Sequence, residues 1–155
     1  MGPERVSVQS GDFDVSTELA ALRRDDGGVG AVVSFVGTVR DLGHGDTVTA
    51  MELEHYPGMT EKKLAEIEAE ARRRWPLAAS LIVHRYGRLE PGDRIVLVAT
   101  ASAHRQAALE SCAFLIDWLK TEAPFWKLEE VGGEQRWVAA RDSDDAAAAR
   151  WREGR

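Results

Sequence analysis

Five cations stand at positions where side chains of their type could hold an anion: Arg40, His104, Arg105, Lys120 and Lys127. Ser102-Ala103-His104-Arg105 falls where a buried strand gives way to a long helix. Main-chain N–H groups at a helix start lack intrahelical partners and favour negative charge. Placing His104 and Arg105 there opposes the helix dipole, at a cost of about 0.3–1 kcal/mol unless an anion or carboxylate is present. The pair therefore marks either an anion site or a solvated helix end.

A second group runs from Asp117-Trp118-Leu119-Lys120 into Ala123-Pro124-Phe125-Trp126-Lys127-Leu128-Glu129. Lys120 lies in the last turn of its helix, where a cation suits the dipole without any ligand. Lys127 follows the stiff, apolar Pro-Phe-Trp stretch, which should pack onto the body of the protein. Partial burial there would lower a lysine's pKa and suit it to acid–base work. Trp118 and Trp126 read as core or interface. The third group is Phe35-Val36-Gly37-Thr38-Val39-Arg40. Gly37 inside a strand signals a bulge or the close approach of another backbone. Arg40 opens a glycine-bearing loop, where it could grip a phosphate through two parallel hydrogen bonds or simply face solvent. Cys112 lies on an apolar helix face and reads as an inert core thiol. His55 and His84 fall in strands without metal-ligand spacing, so no metal site is expected. Spacing alone does not show that the five cations converge.

The elements that must position these residues follow from pattern. Val6-Ser7-Val8 alternates as a short strand, and Ser16 and Thr17 are N-cap candidates for a helix reaching Arg24. Residues 29–39, rich in Val and Phe, read as a central strand, and residues 47–55 as a second one. Pro57-Gly58 turns, and Thr60 is expected to cap a helix whose Leu64, Ile67, Ala71 and Trp75 return to one face. Pro76 stops it. Residues 79–86 and 94–101 form two more strands around a turn at 90–93. A long helix covers 104–122, followed by extended segments at 125–131 and 135–139 and a charged tail over 141–155. Paired strands joined by turns imply one α+β domain over residues 1–155, with a mixed or antiparallel sheet and helices to one side.

Bulk properties exclude several classes. The 155 residues suit one domain with a real core. A formal net charge of −6 argues against a general nucleic-acid or anionic-membrane binder. One cysteine cannot form an internal disulfide and fits a reducing cytoplasm. No apolar run nears the roughly 18 residues of a membrane span, and the first nine residues lack the apolar run of a secretory signal.

Several motifs stand in the order and spacing of one known family. They are Phe35-Val36-Gly37-Thr38-Val39-Arg40, Leu53-Glu54-His55-Tyr56-Pro57-Gly58-Met59 and the run from His84-Arg85-Tyr86-Gly87 to Pro91-Gly92-Asp93. Ser102-Ala103-His104-Arg105, Leu119-Lys120 and Pro124-Phe125-Trp126-Lys127-Leu128-Glu129 complete the set, and Arg136 to Arg141 is similar to the closing strand. Together the chain resembles the large subunit of molybdopterin synthase over nearly its whole length. The resemblance implies an α/β hammerhead fold and a homodimer within a heterotetramer. The other subunits would be small ubiquitin-like sulfur carriers whose C-terminal Gly-Gly thiocarboxylate enters the pocket. It implies sulfur transfer to cyclic pyranopterin monophosphate, with no resident cofactor. By the same resemblance, Lys120 and Lys127 match essential lysines and Arg40 a pocket arginine. His104 and Arg105 match residues reaching into the partner's site, and Arg141 a residue near it. Leu109 stands where the family often has Phe, and Ile116 where some members have Met, swaps that bear on pocket shape. The alternative from another class is a non-catalytic dimeric α+β module that binds a phosphorylated metabolite.

Overall fold

Near-continuous apolar runs make the central strands over residues 77–85 and 94–102, and apolar residues at three- and four-residue spacing make the helices. The computed structural model describes residues 4–22, 27–40, 48–131, 134–138, 149 and 151–152. Among them the order is β1 (Glu4–Gln9), α1 (Val15–Leu22), β2 (Ala31–Thr38), β3 (Val48–His55), α2 (Met59–Arg74) and β4 (Leu77–Arg85). There follow β5 (Gly87–Leu89), β6 (Arg94–Ser102), α3 (Arg105–Glu122), β7 (Phe125–Val131) and β8 (Glu134–Val138).

The strands form two four-stranded sheets. The first has the order β1-β4-β6-β2 and is mixed, because β1 runs parallel to β4 while the other pairs are antiparallel. The second, β5-β3-β7-β8, is antiparallel throughout. Both faces of the first sheet are covered. Leu81, Val83, Leu97, Ala99 and Ala101 point to the side where Phe13 and Leu22 pack with α1. Ile82, Val96 and Val98 point to the other side, against Leu64 and Ile67 of α2, Phe114 and Leu115 of α3, and Met51, Leu53 and Leu89 of the second sheet. The α+β architecture with a mixed or antiparallel sheet is as expected. The expectation of helices on one side is corrected: α1 takes the opposite face from α2 and α3.

Helix α3 runs back across the sheet against the direction of β6. Thr100 Oγ1 donates to the Ala108 carbonyl at 2.7 Å, and the Cys112 thiol lies 3.8 Å from the Val98 carbonyl. Successive helix turns thus step down successive strand residues, since four helical residues rise about as far as two strand residues. The start of α3 lies at the Ser102 end of the sheet and its last turn at the Arg94 end.

Other differences are local. Strand β2 is an edge and not a central strand, pairing with β6 alone among the described residues. Its Val33 and Phe35 pack against the core on the α3 side, whereas Ser34, Val36 and Thr38 on the opposite face are exposed. Asp14 caps α1, its carboxylate accepting the Thr17 N–H at 3.0 Å, so Ser16 and Thr17 lie inside the helix. Helix α2 likewise begins one residue before Thr60. Gly58 is the capping position, at φ 84°, and Glu61 accepts the Gly58 N–H at 2.7 Å. The buried Thr60 instead makes a tertiary tie. Its hydroxyl accepts the Tyr56 N–H and donates to the Pro124 carbonyl, at 3.1 and 3.4 Å. It joins the entrance of α2 to the turn that launches β7. Gly37 meets the bulge half of its expectation, while the group that approaches it closely is the Val96 side chain and not another backbone. The β2–β6 register shifts there, and a Cβ would come within 2.9 Å of Val96.

The expected tail lies mostly outside the described residues, but Trp151 is buried. Its indole N–H donates to Asp117 at 2.7 Å, and its carbonyl accepts from Arg74 at 2.6 Å. The ring meets Trp75 and Phe114 edge-on.

Candidate active site

The turn after α3 is short, so the helix's last residues and the first residues of β7 are forced to be neighbours. Pro124 ends the helix, and β7 then pairs with β3 in the register Phe125↔His55 and Leu53↔Lys127. Alternation along a strand puts Phe125 and Lys127 on one face of β7, with His55 and Leu53 opposite them on β3. Leu53 is fully buried, so this is the inward face. Phe125 stacks on His84 of β4, with ring centroids 3.7 Å apart and planes 15° from parallel. The two sheets therefore meet at a His84–Phe125 contact, and Lys127 comes next on the same face.

His84 shares a sheet face with Ile82, the face that α3 covers. It pairs with Val96 near the start of β6, the level at which the last turn of α3 arrives. That turn carries Lys120. The imidazole is 3% exposed, and its Nδ1 lies 2.8 Å from the Arg85 carbonyl. A carbonyl can only accept, so Nδ1 carries the proton and Nε2 is the bare nitrogen. Burial is the chief cause that lowers the His84 pKa from 6.5 to about 3. The hydrogen bond to Arg85 opposes that fall, and the neighbouring charges of Lys120, Lys127 and His55 add to it. Lys120, Lys127 and His55 thus all lie within electrostatic range of one neutral ring.

Arg40 comes just after the end of β2. The Val39 N–H donates to the Asp93 carbonyl at 2.9 Å, and the Gly92 N–H to the Val39 carbonyl at 2.8 Å. Thr38 pairs with Arg94, so Arg40 emerges at the Lys120 end of the sheet with its side chain exposed. Two further arginines at this end have other work. Arg94 makes two bonds to the Asp12 carboxylate, at 3.1 and 2.7 Å, and holds its pKa below the ordinary value. Arg85 donates to the Ser10 and Arg94 carbonyls.

His104 and Arg105 sit at the other end. His104 is the N-cap residue of α3, and its side chain makes no capping hydrogen bond. Both are exposed. Fifteen helical residues separate Arg105 from Lys120, about 22 Å along the axis. A single chain therefore brings Lys120 and Lys127 together, leaves Arg40 at the same end, and does not bring His104 or Arg105 to them. Arg141 and the side chain of Trp126 lie outside the described residues. Leu109 is 56% exposed one turn after Arg105, and Ile116 packs against the core near the Lys120 end.

Cys112 is buried and its thiol pKa is pushed up to about 12, in keeping with the inert core thiol expected from its helix face. Among the described residues, no three His, Cys, Asp or Glu side chains gather as a metal cluster. No described helix is long and apolar enough to cross a membrane. An open concavity of about 390 Å³ between α1 and β2 is lined by Leu19, Ala20, Val29 to Val32 and Ser34 and holds no titratable group. Sequence reasoning weighed His84 only as a metal ligand and not as a neighbour of the lysines. Its signal was its register: a histidine two residues beyond Ile82 in an otherwise apolar strand.

Proteins similar in sequence and fold are known. The MoaE protein family matches residues 8–122. The molybdopterin synthase catalytic subunit of Pseudomonas aeruginosa is 57% identical over 148 residues, covering 96% of this chain and 99% of the relative. A molybdopterin biosynthesis MoaE protein from Burkholderia ambifaria superposes with a TM-score of 0.82 at 57% identity, over 96% of this chain and 98% of that one. The crystal structure of molybdopterin synthase from Staphylococcus aureus gives 0.80 at 32% identity, over 86% and 96%. With a fold, a length and a sequence shared at this level, the chain belongs to the MoaE family, whose matched relatives are molybdopterin synthase catalytic subunits.

Proposed function

We propose that this chain transfers sulfur from a thiocarboxylated ubiquitin-like carrier to cyclic pyranopterin monophosphate, and that Lys120 and Lys127 are its catalytic residues. The observation that carries this reading is that Lys120 and Lys127, on two elements joined by one short turn, both act electrostatically on the buried His84.

The chemistry explains why cations are needed. The nucleophile arrives on the partner as a thiocarboxylate, so the chain needs no reactive cysteine, and the inert Cys112 is consistent with that. A thiocarboxylate and a phosphate are both anions. Two like unit charges 4 Å apart repel by about 4 kcal/mol at the effective dielectric of a protein surface. Fixed ammonium groups offset that repulsion and stabilise oxyanions that develop as sulfur adds to carbon. Lys120 acts as acid or polarising group at the reacting carbon, and Lys127 supports the carrier's carboxyl terminus. Arg40, emerging at the same end, takes the phosphate. His104, Arg105 and Arg141 complete the site from a second copy in a homodimer, which accounts for the separation of about 22 Å within one chain. The carrier binds one to each large subunit, giving a heterotetramer. A cytoplasmic setting suits its single free thiol.

The test is reconstituted sulfur transfer with pterin monophosphate and thiocarboxylated carrier. Lys120→Ala should lose turnover on the order of 10²–10⁴-fold while keeping its melting temperature and its grip on the carrier. Near-normal product formation would reject the assignment. Pterin binding by the unmutated chain with no sulfur transfer would return it to the non-catalytic reading.

A further inference from the structure

We propose that Thr60 is a positioning residue for sulfur transfer: its buried hydroxyl is built into the end of the β3–β7 ladder as a spacer that sets where Lys127 stands relative to Lys120. The inference rests on the assignment of Lys120 and Lys127 as the catalytic pair. It adds a residue from a third element, α2, that acts through the lysines rather than on the substrate.

The antiparallel register pairs His55 with Phe125, so one step further along the two strands Tyr56 faces Pro124. A direct ladder bond there could run only from the Tyr56 N–H to the Pro124 carbonyl, because proline has no N–H to give. The Thr60 hydroxyl takes that place instead. Its oxygen accepts the Tyr56 N–H at 3.1 Å and donates to the Pro124 carbonyl at 3.4 Å. A relay through an oxygen holds the two strands farther apart than a direct bond of about 2.9 Å would. The spacer is itself held. The Thr60 N–H donates to the Tyr56 carbonyl at 2.9 Å, and the residue is fully buried. Helix α2 behind it is anchored in the core by Leu64 and Ile67.

The position matters because of what the turn joins. Lys120 precedes Pro124 by about one helical turn, and Lys127 is the third residue of β7, which starts directly after Pro124. Helix α3 packs on the first sheet, through Thr100 and Val98, whereas β7 belongs to the second. The turn folds back through its own bond from the Phe125 N–H to the Ala123 carbonyl, at 2.9 Å. Thr60 then pins Pro124, at the crossing from one sheet's helix to the other sheet's strand. Misplacing a reacting group by about 1 Å can cost on the order of 10²-fold in rate, so a spacer one atom wide is large enough to matter.

The experiment compares Thr60→Val, Thr60→Ser and Thr60→Ala in the full assembly, with Lys120→Ala assayed alongside. Each is measured for melting temperature, carrier affinity, kcat and KM, at a temperature well below every melting point. Val keeps the shape and removes the relay. Ser keeps the hydroxyl and loses the methyl, and Ala loses both. Thr60→Val should lose kcat by about 10–100-fold, with KM and carrier affinity changed less than about threefold. Thr60→Ser should keep kcat within about threefold of the parent even if it melts lower. Thr60→Ala should be as slow as Thr60→Val. A folded Thr60→Val with kcat within about twofold of the parent overturns the proposal, and so does a Ser variant as slow as Val. A loss confined to KM or to carrier affinity also overturns it, because the hydroxyl would then shape a binding surface and not the lysine pair. Should the Val variant not fold, equal turnover in the Ser and Ala variants overturns the proposal, and Ser well above Ala upholds it. An inactive Lys120→Ala beside unimpaired Thr60 variants would remove only the role of Thr60. An active Lys120→Ala would remove the reading beneath it.

Discussion

At its first turn α3 carries His104 and Arg105, both exposed. At its last turn it carries Lys120, half-buried and close to a neutral histidine, a short turn away from the strand that brings Lys127. The charges are of one sign and the helix is the same, yet only one end is finished by its own chain. The difference lies in the elements packed around each end. The Ser102 end is approached by β2 through the Gly30 N–H, which donates to the Ser102 carbonyl at 2.9 Å. The Lys120 end is approached by a second sheet, whose inner face carries Phe125, His55 and Lys127. A cation becomes part of a site when neighbouring elements bury its surroundings. A cation at an open helix end waits for another molecule to do so.

The sharpest way to break that comparison is to disable each end in a different copy. Lys120→Ala and Arg105→Ala dimers should each be nearly inactive alone. Mixed and allowed to exchange, half of the dimers become hybrids. Each hybrid contains one site with an intact Lys120 and the partner's intact Arg105. Turnover should then rise to about a quarter of the unmutated level, by the statistics of a closed two-fold dimer. No recovery after demonstrated exchange would mean that both ends serve the same chain or that the Arg105 end serves none. An Arg105→Ala dimer with full turnover on its own would remove that end from the reaction.

How far the sequence could be read follows the same division. Element types and the α+β class were legible because Leu64, Ile67 and Ala71 repeat at helical spacing and residues 94–101 are dominated by apolar side chains. Helix starts were not, because Thr60 resembles a cap while serving as a tie to Pro124, and Asp14, a better capping acceptor, stood two residues earlier than Ser16. The edge position of β2 was hidden because its apolar run continues through Val36, which is exposed, just as it would in a strand covered on both faces. Lys127 was legible as a candidate by residue type and local stiffness, and Lys120 only through the family resemblance. Their convergence was not, because it depends on the register of β7 against β3 and on the direction of α3, neither of which composition records. His84 was hidden by its apolar strand.

A second, smaller effect probes the finished end through stability. Unfolded, His84 takes up a proton near pH 6.5, whereas folded it does so only near pH 3. Between those values the unfolded chain binds more protons, so stability must fall as the pH drops through this window. The limiting slope for one histidine is about 1.4 kcal/mol per pH unit. Urea unfolding at pH 7 and pH 5 should therefore differ by about 2 kcal/mol on account of this ring. The other groups with lowered pKa values, Asp12 and Glu70, are carboxylates whose contributions are lost only below about pH 5. His84→Phe should be less sensitive to pH across this interval by that amount. Equal slopes in the parent and the variant would show that the ring is not held neutral.

The smallest expected effect lies at the middle of α3, between the two ends. Cys112 faces the sheet over Val98, and burial alone sends its pKa to about 12. At pH 7 its thiolate is a negligible fraction, so iodoacetamide should label it only after denaturation. Cys112→Ala removes one buried sulfur and leaves a void of methyl size. That should cost about 1 kcal/mol, and a chain of this length then melts about 2–4 °C lower. Turnover should stay within twofold, because the helix still delivers Lys120 through the buried Leu115 and Leu119 and through Phe114, which packs against Trp75 and Trp151. A Cys112→Ala protein that melts normally but turns over tenfold more slowly would mean that packing at this point of the helix sets the position of Lys120. The division of labour along α3 would then have to be redrawn around its centre.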